Sequence, residues 1–391
     1  MFSFEHVLIF IVISCFPLYF LVSGSLQVAH YFIILFAALI FSKPEFLITN
    51  KVYMILLLGL LTYMILRQVI FFIEYNRLVY MPIAFLIFNI ALFFSLGSYI
   101  HKHHEHFISH LKYPLFLSII IVFIGFYFTG ISLTNNATSF EGISHISTEG
   151  VRYRSIGTFN NPNQLGFFGV CVGGMITYLF ALQRINIIEF SLSAGMIIVM
   201  VAASLSKAAM ISVIFYGLVL CTKRTYKYLL AIIFLFFIGL IILAQFIELN
   251  DLKILNRLLS IGNASDDSLA GRGYGPLLDP DIRLLFGWGE GYSEMSINHE
   301  VHSTLGNLLI SYGLIGFLLF GFLVLFIFLR VKNMFNVILA LALFMPPMLY
   351  GLTHNGIRFS IFWVFLAVLA FMPINISKKH MMYYNSSITD P

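Results

Sequence analysis

The residues best suited to chemistry lie in one long polar stretch, residues 270–316, set among very apolar segments. His302 stands where this stretch runs into a hydrophobic segment, and its imidazole could remove a proton from a hydroxyl group. Arg272 lies in Gly-Arg-Gly-Tyr-Gly, and Arg283 precedes Phe-Gly-Trp-Gly-Glu-Gly. Glycines let a ligand approach the backbone closely, and a guanidinium can bind two phosphate oxygens at once. The stretch therefore predicts a base beside an anion-binding loop; a flexible surface loop with an interfacial histidine is the alternative.

A second candidate anion site precedes an apolar run near residue 165. Arg152 and Arg154 come before the sequence Asn-Asn-Pro-Asn-Gln at residues 160–164. We predict a helix here with Asn161 as its N-cap, proline at its first position and Gln164 closing a capping box. The free N–H groups of a helix start, next to two arginines, suit a pyrophosphate. The alternative is a simple cap, with the arginines on lipid headgroups.

Other polar residues carry weaker signals. Lys207 and Arg358 are expected near helix ends, where each could reach headgroups or join the anion site. The pair Asp279 and Asp281 around a proline suits a turn as well as a metal. Three cysteines are too scattered for a disulfide framework. Five histidines between residues 101 and 110 match no diagnostic ligand spacing, so we expect a solvated connection there and no metal site.

Composition indicates the class of protein that carries these residues. The chain of 391 residues is 60% hydrophobic and 10% charged, with a mean hydropathy of +0.95. This is typical of an all-α integral membrane protein and argues against nucleic-acid binding. A helix needs about 20 apolar residues to cross a bilayer. Twelve spans are predicted, at residues 4–22, 26–42, 52–73, 78–100, 113–131, 164–183, 186–203, 208–222, 227–248, 303–329, 333–352 and 357–376.

Basic residues in the short connections predict the orientation of these spans. Most of the basic residues fall in connections on one side of the membrane. The short connections on the opposite side contain only Arg77, Lys207 and Arg358. The richer side is therefore expected to be cytoplasmic, with both termini, and the long loops 132–163 and 249–302 to be periplasmic. Residues 1–391 would then form one multi-pass domain in a bacterial inner membrane. The basic residues on the predicted cytoplasmic side are Lys43, Lys51, Lys102, Lys112, Arg184, Lys223, Arg224, Lys227, Arg330, Lys332, Lys378 and Lys379.

Four segments, in this order, resemble the bacterial O-antigen ligase and polymerase family. They are GTFNNPNQLGFF, SLSKAAMISVIFYGLVL, FGWGEGY and VHSTLGNLLISYGLIGFLLF, and the resemblance covers roughly residues 152–329. It implies a helical glycosyltransferase bundle of the GT-C type with two long periplasmic loops. It also implies transfer of glycans carried on undecaprenyl pyrophosphate, at the periplasmic face, without a metal or other cofactor.

The same resemblance implies roles for individual residues. His302 matches the family's histidine that activates the acceptor hydroxyl, and Arg154 or Arg152, with Arg272, match arginines of the pyrophosphate site. Lys207 follows Ser206 where the family commonly has Ser-Arg, and lysine lacks the paired donors of arginine. The residues expected to bind pyrophosphate or glycan are Arg152, Arg154, Arg272, Arg283, Lys207, Asn161 and Asn163.

Two activities of this family stay open. A polymerase joins lipid-linked repeat units for O-antigen, capsule or exopolysaccharide, and a ligase moves the finished glycan onto lipid A-core or protein. We favour the polymerase, because the Asn-Pro-Asn tract and the proportions are more similar to repeat-unit polymerases. Either would invert the anomeric configuration, and a chain-length regulator and a flippase are the expected partners in the bilayer. A transporter or flippase is the alternative from another class, but apart from Arg67 the predicted spans are nearly free of charge.

Overall fold

Helices account for the regular structure in the part of the chain that the computed structural model describes, which is residues 3–18, 27–43, 50–129, 155–159, 161–216, 274, 281–297 and 301–372. No β-strand occurs among these residues, which confirms the all-α prediction. The helices are α1 (Phe4–Cys15), α2 (Val28–Phe41), α3 (Lys51–Tyr75), α4 (Met81–His110), α5 (Lys112–Thr129), α6 (Pro162–Ala181), α7 (Ile187–Ala203), α8 (Lys207–Ile214), α9 (Arg283–Phe286), α10 (Tyr292–Ile297), α11 (Thr304–Met334), α12 (Val337–Gly351) and α13 (Ser360–Phe371).

The outer surface of these helices is apolar. Four of them, α3, α4, α6 and α11, are long and apolar enough to cross a membrane, and six shorter helices are also apolar. Large side chains such as Ile55, Ile73 and Ile188 are 66%, 75% and 75% exposed. Hydrocarbon accommodates such a surface, whereas water does not. The chain is therefore a multi-pass membrane protein. Eleven of the twelve predicted spans contain a described helix, and the ninth, 227–248, lies outside the described residues.

The centre of the bundle is formed by α6 and α13. Every residue of α13 is buried, as expected of a helix that is apolar on all sides. Glycines of α6 bring its neighbours close: a β-carbon at Gly169 would lie 2.9 Å from Val201 of α7, and one at Gly174 would lie 2.6 Å from Phe365 of α13. Small residues allow this close packing in a membrane, where van der Waals contact holds helices together.

The bundle has two ends. The one called here the His302 end holds the starts of α4, α6, α8, α11 and α13 and the last turns of α3, α7 and α12. The opposite end, called the His106 end, holds the starts of α5, α7 and α12 and the last turns of α4, α6 and α11. Ion pairs join helices there, namely Lys112–Glu189 and Arg184–Glu105. The described residues of the basic group that was predicted to share one side lie at the His106 end.

Two helices differ from the prediction. The histidine-rich segment was expected to be a solvated connection, but it forms the last turns of α4, which continues to His110 through a kink at His103 (φ −124°, ψ 29°). Helix α11 corresponds to the predicted span 303–329, but it is interrupted at Gly313 (φ 62°, ψ −167°). That backbone region is open almost only to glycine. Both irregularities position polar residues, as described below.

Candidate functional site

His302 lies just outside α11, one residue before the N-cap of that helix. The reason is Ser303, whose side chain accepts a hydrogen bond from the Gly306 amide at 2.9 Å and acts as the N-cap. An N-cap residue has an extended backbone, so the helix begins at Thr304. The His302 side chain is exposed at this end of the bundle. An exposed imidazole is accessible to a hydroxyl group of an arriving substrate.

The start of α6 agrees with the sequence prediction except for the capping box. Asn161 is the N-cap, its side chain accepts from the Asn163 amide at 2.8 Å, and Pro162 occupies the first turn. The Gln164 side chain does not complete the box: its Oε1 atom is buried and has no hydrogen-bond partner among the residues that the structure describes. The helix start thus presents Asn161 and Asn163 at the surface of the His302 end. The Oε1 atom of Gln164 can still accept a hydrogen bond.

Contacts connect this helix start to His302 through α12 and the loop that follows it. The Tyr350 hydroxyl of α12 donates to the carbonyl oxygen of Asn163. The Tyr350 ring packs on the His354 ring, with centroids 4.8 Å apart. The His354 carbonyl oxygen then accepts from both the amide and the hydroxyl of Thr304, at 3.0 and 2.8 Å. Since Thr304 follows His302 by two residues, these contacts form a path between residues far apart in sequence, from Asn163 to the start of α11 beside His302.

Lys207 lies at the same end of the bundle, at the start of a helix that packs against both α6 and α12. It is the first residue of α8, after Ser206 as N-cap. A β-carbon at Gly166 in α6 would lie 3.1 Å from the Ser204 hydroxyl and 3.3 Å from the Ser206 β-carbon. This close approach brings the start of α8 against the first turns of α6. The lysine is half-buried, and its positive charge lies at the same end of the bundle as His302.

The Phe-Gly-Trp-Gly-Glu-Gly segment is built into the break of α11. Trp288 donates its amide to the Ile310 carbonyl at 2.7 Å, and Gly289 donates to the Ser311 carbonyl at 2.9 Å. In an unbroken helix those carbonyls would accept from residues four positions later. Because the helix is interrupted at Gly313, these carbonyl groups accept hydrogen bonds from the loop instead. The glycines at 287, 289 and 291 have φ values of 78°, 94° and 91°, which only glycine adopts readily. They therefore shape the turns by which this segment packs against α11.

This segment delivers a buried carboxylate, Glu290, which sequence reasoning missed. Its Oε1 atom accepts from Asn307 Nδ2 and from the Tyr312 hydroxyl, both at 3.0 Å. Its Oε2 atom is 3.6 Å from Arg358 Nη2, and its own amide donates to Gln68 Oε1 at 3.2 Å. Both carboxylate oxygens are thus engaged by protein groups. Glu290 joins α3, α11 and the loop before α13, which makes it a positioning group for this end of the bundle.

Arg67, the exceptional charge in the predicted spans, supports the same segment. Its Nη2 atom donates to the Gly287 carbonyl at 2.6 Å, and the Tyr63 hydroxyl donates to the Phe286 carbonyl at 2.8 Å. Arg283 stands apart from this arrangement: its side chain is exposed on α9 and makes no ion pair with the residues that are described. Arg283 therefore makes none of the contacts that form the path between His302 and Asn163.

Asn355 is another residue that the sequence did not indicate. Both polar atoms of its amide are buried, and neither has a hydrogen-bond partner within the described ranges. Buried polar groups are nearly always satisfied by protein, water or ligand. Asn355 follows His354, which lies on the path described above. The Oε1 atom of Gln164 at the start of α6 is likewise buried without a hydrogen-bond partner among the described residues. These atoms can bind water or a polar ligand at the His302 end.

Three predicted anion-binding residues, Arg152, Arg154 and Arg272, lie outside the described residues. Tyr274, from the same Gly-Arg-Gly-Tyr-Gly sequence as Arg272, is described, and its hydroxyl donates to the Leu352 carbonyl at 3.0 Å. Leu352 directly follows α12. The tyrosine of this sequence is therefore held at the His302 end.

Comparison with models of known protein families finds no match, and a search of curated proteins finds no significant relative.

Proposed function

We propose that this protein is a glycosyltransferase of the bacterial inner membrane that joins undecaprenyl-pyrophosphate-linked oligosaccharide repeat units at the periplasmic face. The product would be O-antigen, capsule or exopolysaccharide. The bundle would be of the GT-C type, with about twelve spans and two long periplasmic loops. The resemblance of four segments to the O-antigen ligase and polymerase family supports this proposal, as does the arrangement of residues at the His302 end.

The observation that carries the proposal is the path from His302 through Thr304, His354 and Tyr350 to Asn163. It brings the one exposed histidine of the resembling segments to the same end of a membrane-embedded bundle as a helix start and Lys207. A lipid-linked donor has its pyrophosphate at the membrane surface. An acceptor hydroxyl can approach the same surface from water.

The chemistry that these groups would perform is a single displacement. His302 takes the proton of the acceptor hydroxyl as that oxygen attacks the anomeric carbon of the donor glycan. The bond from that carbon to the pyrophosphate oxygen breaks, and undecaprenyl pyrophosphate leaves with the electron pair. Lys207, the N–H groups at the start of α6, and Arg152, Arg154 and Arg272 would stabilise its negative charge. One displacement without an enzyme nucleophile inverts the anomeric configuration.

The test is genetic, because the native host supplies the native repeat unit. The gene is deleted and complemented with wild type, His302→Ala or His101→Ala, and surface polysaccharide is separated on a gel. His101 is exposed on α4 at the opposite end, so its variant is the matched control. We expect long polymer with wild type and His101→Ala, and a single surface-attached repeat unit with His302→Ala.

Other outcomes separate the alternatives. Loss of all surface glycan, with long polymer on undecaprenyl pyrophosphate, would identify a ligase. Lipid-linked repeat units trapped on the cytoplasmic side would identify a flippase. Normal polysaccharide in the deletion strain would overturn the whole proposal, and normal polysaccharide with His302→Ala would overturn the assignment of the base.

A further inference from the structure

Three histidines converge at the His106 end, opposite the site described above. His6 lies in the first turn of α1, and His106 and His110 lie in the last turns of α4. One ring nitrogen of each residue lies within 4.8 Å of those of the other two. The Nδ1 atoms of His6 and His106 are 3.2 Å apart. Two elements far apart in sequence therefore bring three nitrogen donors to one point.

The spacing matches what a late first-row metal ion requires. Zn²⁺ binds imidazole nitrogens at about 2.0–2.1 Å in tetrahedral geometry, so two such nitrogens are roughly 3.4 Å apart. The 3.2 Å between His6 and His106 is close to that value. His106 and His110 are four residues apart on a helix, so their side chains share one face. The same i, i+4 pair of histidines is a common zinc-binding arrangement.

A hydrogen bond orients one of the rings. His110 Nδ1 donates to the His106 carbonyl oxygen at 2.7 Å, so the lone pair of His110 is on Nε2. A partner of this kind commonly fixes the tautomer and orientation of a metal-binding histidine. The Tyr99 hydroxyl is 2.9 Å from His6 Nδ1, the nitrogen that lies 3.2 Å from His106, so a bound ion would take the place of the Tyr99 proton on that nitrogen. The cluster thus has one oriented ring as well as suitable spacing.

Helix α4 is kinked at His103, just before the two histidines that it contributes to the cluster. The helical backbone is interrupted there (φ −124°, ψ 29°), so the final turns of α4 depart from the line of the apolar part of the helix. The carboxylates nearby are already paired, Glu5 with Lys43 and Glu105 with Arg184. Three neutral imidazoles therefore remain as the donor set. Neutral imidazole nitrogens favour Zn²⁺ and its late first-row neighbours over Mg²⁺ or Ca²⁺.

We propose that His6, His106 and His110 form a Zn²⁺ site, with water as the fourth ligand, that ties α1 to the end of α4. The proposal is independent of the glycosyltransferase function, since it concerns the other end of the bundle. His106 is exposed, so the ion has access from solvent. His6 is buried, so binding fixes the first helix of the chain against α4.

The experiment uses the full chain, purified in detergent with an affinity tag that lacks histidine and stripped with a chelator. Zn²⁺ is titrated in competition with a fluorescent chelator, and bound metal is measured by mass spectrometry. We expect one Zn²⁺ per chain. Loss of an outer-shell partner typically weakens a zinc site about 10- to 100-fold. His106→Gln and His110→Gln remove direct ligands, so they should weaken binding more than that, while His101→Gln on the same helix should leave it unchanged.

A footprint of the wild-type protein makes the test independent of how the variants fold. Diethyl pyrocarbonate modifies accessible histidines, and a bound ion should protect His106 and His110 without protecting His101. Co²⁺ in the same site should give the visible absorption of a four-coordinate ion. Absence of stoichiometric Zn²⁺ binding by the wild type would overturn the proposal. Wild-type Zn²⁺ affinity in His106→Gln and His110→Gln would also overturn it. So would modification of His106 and His110 that is the same with and without metal.

Discussion

Gly287 and Gly313 approach each other so closely that a β-carbon built on either would lie 2.5 Å from the backbone nitrogen of the other. Both residues have a positive φ, 78° and 62°. Gly287 belongs to the loop that carries Glu290, and Gly313 is the break in α11 that leaves carbonyl groups for that loop. This pair of glycines therefore sets where the loop lies against the helix, and hence where Glu290 meets Arg358.

The first prediction concerns this close contact, called here the Gly287–Gly313 joint. Gly313→Ala should lower the free energy of unfolding by about 2–4 kcal/mol, because it adds backbone strain and overpacking at one position. Thermal unfolding in detergent measures the effect. Gly321→Ala, later in α11, is the control: its added methyl group meets nothing within 4 Å, and alanine favours a helix. Equal melting temperatures for the two variants would show that the Gly287–Gly313 joint does not contribute to stability.

Glu290 should be essential to the stability of the His302 end. Glu290→Ala leaves Asn307 and Tyr312 without their shared acceptor and removes the partner of Arg358, whose side chain is 30% exposed. We expect a loss of about 2–4 kcal/mol, less than for a fully buried pair because water screens Arg358. Glu290→Gln keeps one acceptor oxygen, so it should cost about half as much. A Glu290→Ala protein as stable as wild type would show that the network contributes nothing.

His302 should affect activity and leave stability unchanged. Its side chain is exposed, and substitutions at exposed positions usually change stability by no more than about 0.5 kcal/mol. Loss of a general base typically slows a reaction about 10²- to 10⁴-fold. Polymer formed per minute in membranes from the complemented strain gives the rate, and thermal unfolding gives the stability. A rate within tenfold of wild type for His302→Ala would remove His302 from the mechanism.

Lys207 should contribute to binding the leaving group. Lys207→Met removes a positive charge at the start of α8, and we expect undecaprenyl pyrophosphate to bind about tenfold more weakly in detergent titrations. Lys207→Arg should bind at least as tightly as wild type, because a guanidinium can pair with two oxygens. Lys332→Met, an exposed lysine at the opposite end, controls for net charge. Equal weakening by Lys207→Met and Lys332→Met would mean that only overall charge matters.

The proposed orientation can be tested with single cysteines in a protein whose Cys15, Cys171 and Cys221 are replaced by alanine. Ser296 and His101 are both exposed, at the His302 end and the His106 end respectively. In intact inner-membrane spheroplasts, a thiol reagent that cannot cross membranes should label Ser296→Cys at once and His101→Cys only after lysis. The reverse pattern would place the His302 end in the cytoplasm and contradict a periplasmic reaction.

Local patterns predicted several features of the site correctly. The Asn161 cap and Pro162 were predictable because an N-cap depends on a few neighbouring residues. The position of His302 outside α11 could have been predicted in the same way, because Ser303 is an N-cap residue directly before the apolar run, but that signal was missed. Glu290 could have been found from one signal, an acidic residue between glycines at the edge of apolar spans. Its partners, Asn307, Tyr312 and Arg358, could not have been named.

The sequence by itself determined that this is an all-α protein of the membrane, because the apolar runs are too long and too uncharged for water and only a helix satisfies its backbone within each run. It also determined which helix starts carry polar residues. Only the tertiary structure decided which of those residues meet. The Gly287–Gly313 joint, the path from His302 to Asn163 and the meeting of His6 with His106 all connect distant parts of the chain. Such contacts depend on how helices pack and where their backbones kink, and the spacing of residues along a single helix predicts neither.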